Sequence, residues 1–338
     1  PVHTLPCYRP DQVLRLARLF SIQPEQVHYL ASEALIKAIV GQRSVKSAAE
    51  VAQIESALEV SARMHRLAMD LTRPGLYERQ VVAQVEALAR AEGLDLAFPT
   101  IFSVRGEILH NPYHDNLMQA GQMAVHDSGA ESSLRYASDI TRTIPVSGRF
   151  DTRQRELYQI VLRAQKLTIA AIRPQVEFRA IHRLACRTLL EGLRDIGLVR
   201  GDLDQALEAG VHTLFFQCGL GHMLGLDVHD MEALGEDFVG YTDQIRRNPA
   251  FGWKSLRLAR PLEAGFVLTV EPGIYLIDQL IEQFAAEGRF RDFVDYRRLE
   301  SYRGIGGIRI EDDVLVTPEG CRVLGPAIPR EVDEIESR

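Results

Sequence analysis

The sequence predicts an α+β fold made of a duplicated unit, in which a helix pair is followed by antiparallel strands. Two observations carry that reading. A pair of helix-like stretches leads into strand-like segments before residue 145, and the same order returns after Phe150. Pro74-Gly75 breaks the first pair and Pro174 the second, where a helix hairpin needs its turn. A third observation sets the class: 46% of the 338 residues are hydrophobic, and no apolar run reaches membrane-spanning length.

The chain opens on Pro1 rather than methionine, so an upstream segment is expected. Pro10–Phe20 and residues 24–39 carry helical spacing of apolar residues, and residues 41–46 (GQRSVK) read as a linker. Ser47 with Glu50 forms a capping box, opening a helix whose apolar face holds Val51, Ile54, Leu58, Met64, Leu67 and Leu71. Val81, Val85 and Leu88 mark a second helix, stopped by Gly93. Residues 98–104 read as a strand. In the second unit, helices are expected over 152–172 and 176–196, then strands at 211–216, 266–270 and 307–316. A long polar connection (231–262) and a charged insertion (277–303) separate these strands. Segments of that length inside a compact domain often form lids or walls of sites.

Residues 123–142, MAVHDSGAESSLRYASDITR, organise the rest. Segments 123–125 and 140–144 are strand-like, and Ser132-Ser133 is the most turn-like interval between them. A turn centred on Ser133 sets Asp127 directly opposite Asp139. Facing carboxylates repel, and a cation between them removes the penalty. Two solvated acids on a surface hairpin remain an open alternative. His222 lies in GLGHMLGLDVHD, and a lone histidine is more often structural than a ligand. Glu271 ends the strand FVLTVEPG, on the face of Val267 and Thr269. Glu311 lies in GGIRIEDDV, sharing a face with Arg309 and Asp313 against Ile308 and Ile310. An acid in so apolar a strand is costly unless paired or metal-bound.

The strings DSGAESSLRYASDITRT, GLGHMLGLDVHD, LTVEPGIY and GIGGIRIEDD occur in that order within residues 45–325. They resemble the pita-bread metallopeptidases: methionine aminopeptidase, aminopeptidase P and prolidase. The resemblance implies a pita-bread catalytic domain over 45–338, with residues 1–44 the remnant of an N-terminal creatinase-like domain. It implies a binuclear site with Asp127, Asp139, His222, Glu271 and Glu311 as metal ligands. In the family's arrangement the first acid chelates one ion, the second acid and the last glutamate bridge both, and the histidine and remaining glutamate complete the coordination of the second ion. Glu271 is then the candidate proton shuttle, His110 and His229 the substrate-side histidines, and Arg309 a brace for the carboxylates beside the substrate. Oxygen-rich ligation with one imidazole suits Mn²⁺, with Co²⁺, Fe²⁺ or Zn²⁺ as alternatives. A water bridging two such cations loses a proton readily and becomes the nucleophile.

Within the family, DVHD after the histidine and the long insertion before GGIRIEDD are similar to prolidase and aminopeptidase P. Arg257 falls where prolidases place an arginine that binds the carboxylate of a dipeptide's C-terminal proline. A guanidinium gripping that carboxylate in two places would measure substrate length, whereas a solvated arginine would not. The expected activity is hydrolysis of the Xaa-Pro bond, by a prolidase-like dipeptidase or by an aminopeptidase P acting on longer peptides. A metal-free relative, creatinase-like or purely binding, is the reading from another class. Three departures stand out: twelve residues rather than eleven separate the hairpin acids, Ser132 replaces an expected tyrosine, and Cys218 stands where many relatives have histidine. The net charge of −7 argues against nucleic acid and anionic membrane as partners. Four scattered cysteines with no CxxC pair point to the cytoplasm, and the resemblance implies a homodimer.

Overall fold

The computed structural model describes residues 2–337, so the outermost residue of each expected domain, Pro1 and Arg338, lies outside the described residues. Helix α1 (Pro10–Phe20) has the expected span, with proline at its first position and Ser21 in the left-handed region (φ 54°) closing it. Residues 24–39 do not form one helix. A 3₁₀ turn covers Pro24–Leu30, and the chain restarts at α2 (Glu33–Ser44), where the Ser32 hydroxyl accepts from Leu35 N. The expected linker is also corrected: Gly41 to Ser44 complete α2, and the buried Lys46 ammonium lies 2.8 Å from Asp230. Its polarity read as exposure because its partner is 184 residues away.

Helix α3 (Ala48–Leu71) opens on the Ser47–Glu50 capping box, and α4 (Glu78–Ala91) follows. The strands of the first unit are β1 (Asp95–Leu96), β2 (Ile101–Ser103), β3 (Met123–Ser128), β4 (Ala130–Glu131) and β5 (Ile140–Pro145). The expected strand at 98–104 shrinks to β2. Strands β2, β3 and β5 form an antiparallel sheet in that order. Ile54, Leu58 and Val85 from the helices bury against Phe102, Ala124 and Ile144 from the sheet.

The second unit repeats the plan with α5 (Thr152–Ala171), α6 (Phe178–Asp195), β6 (Val267–Val270), β7 (Gly273–Tyr275), β8 (Gly307–Arg309), β9 (Asp312–Val316) and β10 (Cys321–Val323). Its three-stranded sheet runs β10-β9-β6, and β7 pairs with β8. Leu157, Val161 and Leu189 pack against Ile274, Ile308 and Ile310. The expected strand at 211–216 is instead a 3₁₀ turn, Val211–Leu214. A short buried apolar run carries no period to decide its type; Gly210 at φ 81° and the Thr213 hydroxyl, which donates to Gly210 O at 2.7 Å, favour the turn. The expected strand 307–316 is broken at Ile310-Glu311 into β8 and β9.

The two units meet at that break. Glu311 N donates to Thr141 O at 3.0 Å, and the Thr143 hydroxyl bonds both Arg309 O (3.0 Å) and Arg309 N (3.1 Å). Arg142 is fully buried at the junction, donating to the carbonyls of Thr141, Glu311, Ile328 and Pro329 and to Asp312 Oδ1 at 2.7 Å. A guanidinium satisfied on every nitrogen can be buried without an orphaned donor. Among the described residues, no helix is long and apolar enough to cross a membrane.

Candidate metal centre

Asp127 stands opposite Thr141, not opposite Asp139 as the sequence predicts. The reason lies in the turn. Ser132 N donates to Tyr136 O at 2.8 Å, its hydroxyl accepts from Tyr136 N at 3.1 Å, and Arg135 takes a left-handed φ of 68°. This wider loop centres on Leu134 and displaces the register by two residues. An even displacement keeps both acids on one face of the sheet. Beyond Ser128 the arms approach so closely that a Cβ on Gly129 would lie 1.7 Å from Ser138 O.

Each acid is held from a different element. Asp139 N donates to Asp313 Oδ2 at 3.0 Å, and the Thr141 hydroxyl donates to Glu311 Oε2 at 2.6 Å. The Arg309 guanidinium donates to Asp127 Oδ2, to the Thr141 hydroxyl at 3.0 Å and to the Tyr275 hydroxyl at 3.1 Å. His222 N donates to the Thr269 hydroxyl at 3.1 Å, which donates in turn to Glu271 Oε1 at 3.2 Å. Glycine at 221 permits this contact, because a Cβ there would lie 2.0 Å from Thr269 O.

The His222 ring is oriented by Met223 O, 3.0 Å from Nδ1. A carbonyl only accepts, so Nδ1 carries the proton and a neutral ring presents a bare Nε2. That nitrogen faces Asp139 Oδ2 at 3.4 Å and Glu271 Oε1 at 3.5 Å. Ligand atoms of Asp139, His222 and Glu311 all lie within 4.8 Å of one another. Asp127 Oδ1 is buried beside them with no hydrogen-bond partner.

Burial, then Asp127 and Glu271, push the Asp139 carboxyl well above its usual range. Burial raises Glu271 although His222 and Arg309 oppose it, and burial with Asp139 and Glu271 raises Glu311 well above normal. Arg309, despite the cost of its burial, is held charged by Tyr275, Asp127, Glu311 and Glu271. One guanidinium cannot offset four carboxylates. Acceptors that converge on one point, with an orphaned oxygen beside them, fit divalent cations.

All nine site residues singled out from the sequence line one cavity of about 720 Å³. His110 sits on its exposed rim, its pKa lowered by burial and by Arg309. The His229 ring meets His222 edge-on at 4.3 Å, and its Nδ1 lies 2.7 Å from Glu232 Oε2. Burial, His222 and Arg257 hold its pKa down to about 3. With Nδ1–H tied to a carboxylate, a neutral His229 offers Nε2 as an acceptor, and a donor role towards a substrate oxygen would require the imidazolium. Arg257 is not a solvated side chain, because its Nη1 donates to both Glu232 and Glu236. Cys218 lines the cavity as a thiol, burial pushing its pKa up to about 12. The sequence reading missed Glu232 and Thr141. Glu232 lies in a connection without periodicity, whereas Thr141 shares the sheet face of Asp139 by simple alternation and was recoverable.

The model of metallopeptidase family M24 matches residues 52–318. The chain is 36% identical to human Xaa-Pro dipeptidase over 307 residues, which are 88% of this chain and 60% of that protein. It is 35% identical to a probable Xaa-Pro aminopeptidase of Fusarium vanettenii over 308 residues, covering 90% of this chain and 64% of the relative. Zinc-substituted Escherichia coli aminopeptidase P in complex with product superposes with a TM-score of 0.74 at 33% identity, over 89% of this chain and 60% of that one. The chain thus spans about 60% of the length of the curated dipeptidases it matches. Two helix-pair units joined through β5 and β8 form the pita-bread fold, and the chain belongs to metallopeptidase family M24.

Proposed function

We propose that the chain is a two-cation peptidase that hydrolyses the bond before proline and prefers Xaa-Pro dipeptides. One observation carries this reading: His222 Nε2, an acceptor, points at oxygens of Asp139 and Glu271, and a cation resolves that conflict. Asp127, Asp139, His222, Glu271 and Glu311 would hold two divalent ions, and the oxygen-rich set suits Mn²⁺. When bound, such ions supply Lewis acidity, giving a nucleophilic water at neutral pH and a polarised carbonyl. Glu271 moves the proton, with burial lifting its pKa towards the working range. His110 hydrogen-bonds the peptide oxygen, and His229 meets the substrate through Nε2. Arg309 fixes Asp127, and Arg257 faces the substrate's carboxylate.

Residues 1–44 are read as the end of an N-terminal domain, the working form as a homodimer, and the compartment as cytoplasmic. Exposed Tyr8, Leu19 and Tyr29 support a further contact surface on that segment. The names of the relatives support proline specificity. The two carboxylates on Arg257 favour the second reading, an aminopeptidase acting on longer peptides, because a bracketed guanidinium has less charge to offer a substrate carboxylate. The test is hydrolysis of Gly-Pro and Gly-Pro-Ala side by side with Mn²⁺. A higher kcat/KM on Gly-Pro is expected; a preference for the tripeptide shifts the assignment to aminopeptidase P, and turnover of neither overturns it.

A further inference from the structure

We propose that Glu232 is a positioning residue that orients His229 and, together with Glu236, limits how strongly Arg257 grips a substrate carboxylate. This rests on the proline-peptidase reading above. Glu232 opens a 3₁₀ turn, Glu232–Leu234, directly after Met231 in the left-handed region (φ 65°). Its backbone N donates to His229 O at 3.1 Å, and its Oε2 lies 2.7 Å from His229 Nδ1. One residue therefore fixes both the backbone and the ring of His229. A carboxylate only accepts, so the proton is on Nδ1, and Nε2 is left for a ligand.

The other oxygen of Glu232 is committed elsewhere. Oε1 accepts from Arg257 Nη1, and the same nitrogen donates to Glu236 Oε1. Glu236 Oε2 in turn accepts from Arg247. Among the described residues, Arg257 Nε and Nη2 make no hydrogen bond, so the side edge of the guanidinium is free while its end is held. Arg257 is thereby aimed by two carboxylates that also compete with any third one for its charge.

The two contacts of Glu232 make its removal distinctive. His229 loses its ring partner, so kcat falls for every peptide whose scissile bond His229 meets. Arg257 loses one of two competitors but stays aimed by Glu236, so a dipeptide carboxylate binds better. A residue that merely supported the wall would, on removal, lower kcat and raise KM together. Glu236 reaches Arg257 without touching His229, which separates the two effects.

The test is steady-state kinetics of Mn²⁺-loaded wild type, Glu232→Ala and Glu236→Gln on Gly-Pro and Gly-Pro-Ala. Glu232→Ala should lower kcat about tenfold on both peptides, the scale of one charge-assisted hydrogen bond. It should lower KM for Gly-Pro about threefold, as expected for one partly exposed charge pair, and leave that for Gly-Pro-Ala unchanged. Glu236→Gln should lower the Gly-Pro KM with a far smaller loss of kcat. A rise in KM on both peptides for Glu232→Ala, or wild-type kcat, overturns the proposal. Ring ¹⁵N shifts of His229 in the diamagnetic Zn²⁺-loaded chain give a readout independent of turnover. They should show Nδ1–H in wild type and a shift towards Nε2–H in Glu232→Ala. An Nε2–H ring in wild type removes the Glu232 link but leaves the peptidase reading intact. If wild type cleaves neither peptide, that reading falls, and the ring shifts still decide the link.

Discussion

The two units contribute to the cavity in different ways. The first delivers Asp127 and Asp139 from a single hairpin, where one ladder register sets both. The second delivers His222, Glu271 and Glu311 from three segments separated by the long connection and the charged insertion, and each needs its own support. Thr269 ties His222 to β6, the turn after β6 carries Glu271, and the break between β8 and β9 presents Glu311 to Thr141. His229, Glu232 and Arg257 also belong to the second unit. A hairpin sets the spacing of its two ligands by local register, with Arg309 and Asp313 of the second unit then holding them. Ligands gathered from distant segments depend on packing throughout, and the same packing can carry a substrate wall.

If both units hold the ions, losing an acid from either should be equally damaging. Asp139→Ala and Glu311→Ala should each lower kcat/KM by about 10³-fold or more, since a cation supplies several kcal/mol of transition-state stabilisation. Elemental analysis should show bound metal lost from both. Retention of activity in either variant would confine the centre to one unit.

The second unit's substrate wall should separate from its metal ligands. His229→Ala should lower kcat about tenfold or more, the scale for losing one hydrogen bond accepted by Nε2, with metal content unchanged. Wild-type turnover in that variant would leave His229 a purely structural neighbour of His222. Arg257→Ala should raise KM for Gly-Pro about tenfold, the low end for an arginine–carboxylate pair because the guanidinium is already bracketed. The effect on Gly-Pro-Ala should be much smaller, since an amide replaces the carboxylate at that point. Equal losses on both peptides would remove the carboxylate clamp.

The smallest effect concerns acid stability in the second unit. Burial, then His212, holds His182 at about 3, and burial, then Arg183, holds His212 at about 4. Folded values below the ordinary 6.5 mean that the unfolded chain takes up protons first. Stability from these rings is therefore full above about pH 6.5 and is lost as pH falls towards 4. Neither ring nitrogen of His212 has a partner, so phenylalanine costs no hydrogen bond there. His212→Phe should reduce the stability lost between pH 7 and pH 5 by on the order of 1–2 kcal/mol in urea titrations. An unchanged loss would assign the acid sensitivity elsewhere.

The same contrast governs what the sequence revealed. Helices α5 and α6 end within two residues of their expected bounds, because caps, prolines and apolar periodicity are local signals. The hairpin's register was misread, but its parity survived, and parity alone puts Asp127 and Asp139 on one face. The errors fall where a distant partner decides. Lys46 is buried by Asp230, residues 211–216 coil within an apolar core, and Ile310-Glu311 breaks its strand to meet Thr141. Glu232 was invisible because nothing near it in sequence announces Arg257. Glu311 stood out locally because it interrupts an apolar strand, whereas the grouping of five separated residues into one site came from the resemblance, since no local signal joins them.

The two-cation centre is tested most directly by titrating the metal-stripped chain with Mn²⁺ in a calorimeter while following its melting temperature. Two ions per chain and a rise in melting temperature are predicted, because cations relieve four clustered, mutually repelling carboxylates, three of them buried. Binding of no more than trace Mn²⁺, with an unchanged melting temperature, would contradict it.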